Sequence, residues 1–122
     1  MARILLIEDS EAERRMTKLL LERAGYDVVE AENGRDGLTK LGFAAFDLVV
    51  TDVIMPEQDG VEVIREVRSR KPGLKVLAIS GGDDRIPAQI SLKMMEMYNA
   101  DVMYKPFDND TLLAKVDALV GV

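Results

Sequence analysis

Residues able to do acid, metal or phosphoryl chemistry stand at the ends of short apolar runs in this chain. Glu8 and Asp9 follow the run 3–7, Asp52 follows 47–51, Ser80 follows 75–79, and Lys105 follows 102–104. If each run is a strand of one parallel sheet, these carboxyl ends share a single edge, where ligands bind in such folds. Three carboxylates gathered there repel one another, each pair at about 4 Å costing roughly 4 kcal/mol at an effective dielectric near 20. Raised carboxyl pKa values, a bound cation or the Lys105 ammonium would offset that repulsion. The chain has no cysteine and no histidine, so a metal held here must be hard and oxygen-liganded. Mg²⁺ suits such a site, with Mn²⁺ as an alternative, because it keeps several waters and accepts one or two carboxylates plus a phosphate oxygen. That leaves room for a phosphoryl group on Asp52, with Lys105 and the Ser80 hydroxyl available to its remaining oxygens. Gly81 and Gly82 beside Ser80 let backbone approach an anion closely.

Each of these residues also has a plainer role. Glu8 and Asp9 could simply favour the N-terminus of the following helix through its macrodipole. Ser80-Gly81-Gly82 could be only a turn, and Lys105 a solvated charge. Their joint occurrence on successive strand ends is what carries the chemical reading.

The elements that must position them alternate along the chain. Residues 3–7 form a first strand. Ser10 and Glu13 then match a capping box, Ser10 as N-cap with Glu13 reaching back to it. Ala12, Met16, Leu19, Leu20 and Ala24 recur at helical spacing up to Gly25. Residues 27–31 form a second strand, and Asn33-Gly34 leads into a weaker helix around Leu38 and Leu41, interrupted by Gly37 and Gly42. Residues 47–51 are β-branched and apolar, as in a strand buried on both faces. Pro56 and Asp59-Gly60 signal a turn after it. Val61, Ile64 and Val67 mark the apolar face of the next helix, with Glu62, Arg65, Glu66 and Arg68 outward, and Lys71-Pro72-Gly73 ends it. A fourth strand at 75–79, a helix holding Ile90, Met94 and Met97, and a fifth strand at 102–104 come next. Asp108 caps a last helix with a stripe of Leu112, Leu113, Val116, Leu119 and Val120. Met94, Met95 and Met97 could form an adaptable partner surface, although helix core accounts for them more simply. The alternation predicts an α/β domain with a parallel sheet covered on both faces.

Composition narrows the function further. The 122 residues suit one domain, taken here as residues 1–122 with no further output domain. The 22 acidic and 16 basic residues leave a net charge of −6, unlike a domain that binds nucleic acid directly. The apolar start at Ile4 is too short for a signal peptide or a membrane span, so a cytoplasmic location is expected.

The chain resembles the receiver domain of bacterial two-component response regulators over its whole length. The resemblance rests on Ile7-Glu8-Asp9-Ser10, on 47–56 with Asp59-Gly60, on Ala78-Ile79-Ser80-Gly81, and on Lys105-Pro106-Phe107. It implies a flavodoxin-like (βα)5 three-layer sandwich whose five-stranded parallel sheet has the order 2-1-3-4-5. It implies that Asp52 is the phosphoacceptor, taking a phosphoryl group from a phosphohistidine of a sensor histidine kinase or phosphotransfer protein, or from a small phosphodonor. Glu8, Asp9, Asp52 and the Ile54 backbone carbonyl would hold Mg²⁺, Lys105 would pair with the phosphoryl group, and Ser80 would move to hydrogen-bond it. Such a domain is a signalling switch rather than an enzyme, acting on a downstream protein target or output domain, in some members through a phosphorylation-dependent homodimer. The chain departs from the family at Val102, where an aromatic residue usually pairs with the Ser/Thr switch. Signalling here either does without the aromatic switch or uses Tyr104, two residues on and so on the same face of its strand, in its place.

Two other classes compete with this reading. A metal-dependent phosphatase would also use Asp, Ser, Lys and an acidic metal pair, but no second carboxylate stands two residues after Asp52 and no cap insertion is present. A phosphorylation-independent interaction module would not need the acidic pair, Asp52, Ser80 and Lys105 intact. A flavin carrier is disfavoured because the loop after the first strand is acidic where a flavin phosphate needs donors.

Overall fold

In the computed structural model, residues 1–53, 60–80 and 96–121 are described. Five strands form one sheet: β1 (Arg3–Ile7), β2 (Asp27–Ala31), β3 (Leu48–Asp52), β4 (Lys75–Ser80) and β5 (Ala100–Tyr104). They are all parallel and ordered β2-β1-β3-β4-β5, as the resemblance implied. Described helices are α1 (Glu11–Arg23), α2 (Gly34–Leu41), α3 (Gly60–Arg70) and α4 (Asn109–Val120). Residues 96–98 are also helical. The rest of the helix expected around Ile90 and Met94 lies outside the described residues, as does most of the methionine cluster; Met97 itself is exposed.

Strand alternation builds two cores. Leu5, Ile7, Val49, Val76 and Ala78 pack with Leu38 and Leu41 of α2 and with Val63, Ile64 and Val67 of α3. On the other face, Ile4, Leu6, Leu48, Val50, Leu77 and Ile79 pack with Leu21 of α1 and with Leu112 and Val116 of α4. Because β1, β3 and β4 are buried on both faces, they are almost continuously apolar.

Three local expectations are corrected. The stripe expected on α1 is largely turned to solvent, Met16 being 73% and Leu19 55% exposed, while Leu21 is buried. The face α1 presents inward instead includes Arg14, whose Nη1 donates to the Glu8 carbonyl at 2.9 Å. Arg14 also pairs with Glu30 at 3.3 Å. An aliphatic stem carrying a head that finds carbonyl and carboxylate partners replaces an apolar residue there. The capping box is only half formed: Ser10 Oγ accepts from the Glu13 N–H, but the Ser10 N–H donates to Glu8 Oε2 at 3.0 Å. Arg68 is not turned outward either. Its guanidinium donates to the carbonyls of Tyr98 (2.6 Å), Lys71 (3.1 Å) and Pro72 (2.5 Å), tying α3 to the segment that enters β5.

The glycine that counts against α2 as a helix former is what seats that helix. A Cβ on Gly37 would lie 2.3 Å from Ile7 Cδ1 and 2.7 Å from Ile7 Cγ1, so α2 approaches β1 only without one.

Candidate functional site

The ladder hydrogen bonds continue past the strand ends and so fix the residues just beyond them. The Glu8 N–H donates to the Ala31 carbonyl at 3.1 Å, Val53 to Ile79 at 3.0 Å, and Lys105 to Ser80 at 2.7 Å. Glu8, Asp52 and Lys105 therefore leave adjoining parts of one rim on rigid backbone. Their side chains succeed Leu6, Val50 and Met103 in alternation, all three of which belong to the core beneath α1 and α4. Glu8, Asp52 and Lys105 line an open cleft of about 360 Å³, together with Glu13, Met16, Leu20, Phe107 and Leu112 among others. A somewhat larger depression of about 460 Å³ lies at the opposite edge of the sheet, between Phe46 and Leu74. Its one carboxylate, Asp47, already accepts the Arg3 N–H at 2.8 Å, so the chemistry favours the smaller cleft.

Lys105 sits among the carboxylates. Its Nζ lies 3.7 Å from Asp52 Oδ1 and 3.7 Å from Glu8 Oε1. It is closest, at 3.0 Å, to Glu13 Oε2. One carboxylate oxygen from each of Glu8, Glu13 and Asp52 falls within 4.8 Å of the others.

Burial decides the protonation of this group. Glu8 is only 7% exposed, and loss of water raises its carboxyl pKa to about 9; the hydrogen bond with Asp52 and the charge of Asp52 push the same way, against the Ser10 N–H. Asp52 is also raised, first by burial, with the Glu8 hydrogen bond and the Lys105 ammonium working to lower it. Burial thus favours the protonated form at both Glu8 and Asp52. Burial opposes the charge on Lys105, yet Glu13, Asp52 and Glu8 together outweigh it and raise the ammonium's pKa. Glu13 is lowered, first by its hydrogen bond to Lys105. Among the described residues, Glu8, Glu13 and Asp52 bring three carboxylates together around the one ammonium of Lys105, and an oxygen-liganded divalent cation fits such a donor set.

The remaining expected residues fall at different distances from this cluster. Asp9 is exposed and stands outside the Glu8–Glu13–Asp52 set. Ser80 is 2% exposed and pairs in register with Tyr104. Alternation sends both toward the α2–α3 side, where Val102 and Tyr104 pack, partly buried, against that core. Ile54, Gly81 and Gly82 lie outside the described residues. Glu13 is the member that the sequence pattern assigns elsewhere, as half of a capping box. Its signal was present: one turn into α1, it lies five residues after Glu8, on a helix that begins at the same rim.

A family model for the response regulator receiver domain matches residues 4–117. Among curated proteins, the chain is 33% identical over 118 residues to the alkaline phosphatase synthesis transcriptional regulatory protein PhoP of Bacillus subtilis, covering 97% of this chain and 48% of that protein. It is 37% identical over 119 residues to the CAI-1 autoinducer sensor kinase/phosphatase CqsS of Vibrio cholerae, covering 97% of this chain and 17% of that one. The chain thus spans about half or less of the length of these relatives. Among solved structures, the Vibrio cholerae chemotaxis protein CheY4 matches with a TM-score of 0.87 at 30% identity, over 98% of both chains. The response regulator protein TrrA of Thermotoga maritima, solved in complex with Mg(2+)-BeF, matches with a TM-score of 0.83 at 30% identity, over 98% of this chain and 99% of that one.

Proposed function

Because the chain belongs to the response regulator receiver domain family of two-component systems, we propose that Asp52 is its phosphoacceptor. The carrying observation is a partly buried carboxylate at the end of β3 with the Lys105 ammonium 3.7 Å away and a buried second carboxyl, Glu8, with an oxygen within 4.8 Å of one of its own. Receiver domains are signalling domains rather than classical enzymes, and the transfer asks little more of this chain than position and charge. An Asp52 oxygen attacks phosphorus, the bond from phosphorus to the donor's imidazole nitrogen breaks, and that nitrogen retains the electron pair. Lys105 pairs with an oxygen of the transferred group. Glu8, Asp9, Asp52 and the Ile54 backbone carbonyl are the residues to hold Mg²⁺, which supplies charge neutralisation when bound.

Ser80 and Tyr104 are the candidate switch, since their register pairing puts both at the end of the sheet next to the site. Tyr104 takes the aromatic role that Val102 cannot. If Tyr104→Ala leaves phosphorylation-dependent partner binding intact, that role is gone. The partners expected are a sensor histidine kinase or phosphotransfer protein upstream and a protein target or output domain downstream, with a phosphorylation-dependent homodimer as one form of output. A cytoplasmic location goes with these partners; no described helix is long and apolar enough to cross a membrane.

Intact mass after incubation with a small acyl phosphate tests the central reading. A single phosphoryl adduct that requires Mg²⁺ and is lost in Asp52→Asn supports it. No adduct with several donors, and no Mg²⁺ binding on titration, replaces it with a phosphorylation-independent module. Release of many phosphates per chain replaces it with a phosphatase.

A further inference from the structure

Among the described residues, the shortest contact of Lys105 with a carboxylate is not with Asp52 but with Glu13. Nζ lies 3.0 Å from Glu13 Oε2, against 3.7 Å for both Asp52 and Glu8. Glu13 belongs to α1, while Lys105 comes just after β5, so the pair spans 92 residues of sequence and bridges the mouth of the cleft. The N-cap cannot claim the Glu13 carboxylate, because the Ser10 N–H is already taken by Glu8. The Glu13 side chain is 54% exposed and that of Lys105 31%, so the pair can open without stranding a buried charge.

We propose that Glu13 is a positioning residue that holds Lys105 on the α1 side of the cleft and must release it when a phosphoryl group arrives on Asp52. This rests on Asp52 as the acceptor. An ammonium offers three donors, but it cannot make its best contact with Glu13 and with a phosphoryl oxygen beyond Asp52 at once. Glu13 therefore disfavours the phosphorylated state by competing for its counter-charge. The hold depends on reach as well as on charge: an aspartate at position 13 would keep the charge but be one methylene short.

Beryllofluoride, which occupies the place of a phosphoryl group, gives an equilibrium readout at saturating Mg²⁺. Affinities are compared for the wild type, Glu13→Gln and Glu13→Asp, and for Glu13→Gln in a Lys105→Met background. Because a half-exposed ion pair is worth little, the expected gain for Glu13→Gln is about two- to fivefold. Glu13→Asp should match Glu13→Gln, and the gain should disappear once Lys105 is methionine. Glu13→Asp behaving as wild type, or a gain that persists without Lys105, would show simple charge repulsion and overturn the proposal. Weaker binding in Glu13→Gln would overturn it too, making Glu13 part of the cation site. Failure of the underlying reading looks different: Asp52→Asn would then leave beryllofluoride binding unchanged, or wild type would not bind it.

Discussion

Glu8 shows how burying a single carboxyl makes the stability of the fold depend on pH. Its carboxyl ionises near 4.5 in the unfolded chain and near 9 in the folded one. Between those values the folded chain holds a proton that the unfolded chain has lost, so stability falls as pH rises through that window. Asp52, also raised by burial, adds to the trend. Metal-free Glu8→Gln should therefore unfold at the same urea concentration as wild type near pH 4.5, and become more stable by roughly 1–3 kcal/mol by pH 8.5. Urea midpoints at the two pH values check this. The identity of Glu8 and Asp52 as a chemical pair was legible from strand ends alone. That burial raises both carboxyls was not, because it depends on water excluded by residues distant in sequence. Glu13 was misassigned for a related reason: a capping box is a local pattern, and the lysine that claims its carboxylate is 92 residues away.

Elements in this protein are seated by residues that a local reading discounts. Gly37 lowers the helix propensity of α2, yet its missing Cβ is what admits Ile7. Gly37→Ala should cost about 1–3 kcal/mol despite its better propensity, and part of that loss should be recovered in combination with Ile7→Val, read by denaturant unfolding of the four variants. Arg68 was expected to face solvent from its charge and spacing, but its fork reaches four carbonyls in two other segments. Arg68→Ala should lose about 1–3 kcal/mol, and Arg68→Lys should recover little, since one ammonium cannot replace a planar fork. Loss of the Tyr98 contact should appear as faster amide exchange at the start of β5. On α1, by contrast, helical periodicity identified the helix but not its buried face, because Met16 and Leu19 are exposed while Arg14 is drawn in by the Glu8 carbonyl.

The whole molecule couples the cleft to its stability. Both cores lie against strands whose ends carry Glu8 and Asp52, so a cation that relieves repulsion at the rim stabilises the sheet as a unit. Binding to the folded state alone adds RT ln(1 + [Mg²⁺]/Kd), about 2.7 kcal/mol at a hundred times Kd. The thermal midpoint of the wild type should rise with Mg²⁺ and level only logarithmically, whereas that of Asp52→Asn should barely move. Differential scanning calorimetry across a Mg²⁺ series measures both. At the far side of the fold, the Tyr26 hydroxyl bonds Asp117 of α4, pinning that helix to the turn after α1. Tyr26→Phe should cost about 0.5–1.5 kcal/mol without altering phosphorylation, which separates stability from function in one variant.

Apolar runs at Ile4–Ile7, Leu48–Thr51 and Val76–Ile79, each leading to a polar rim residue and alternating with helical patterns, determined the class of the fold, because strands buried on both faces read as such continuous runs. The absence of histidine and cysteine likewise confined any metal to oxygen ligands. Strand order needed the resemblance, since hydrogen bonding between β1 and β3 is set by crossover packing and leaves no local mark. Tertiary structure alone decided how deeply each carboxylate is buried, which one lies nearest Lys105 among the described residues, and on which face of the sheet Ser80 stands. These depend on distances and excluded water between segments far apart in the chain, and residue type and spacing do not carry that information.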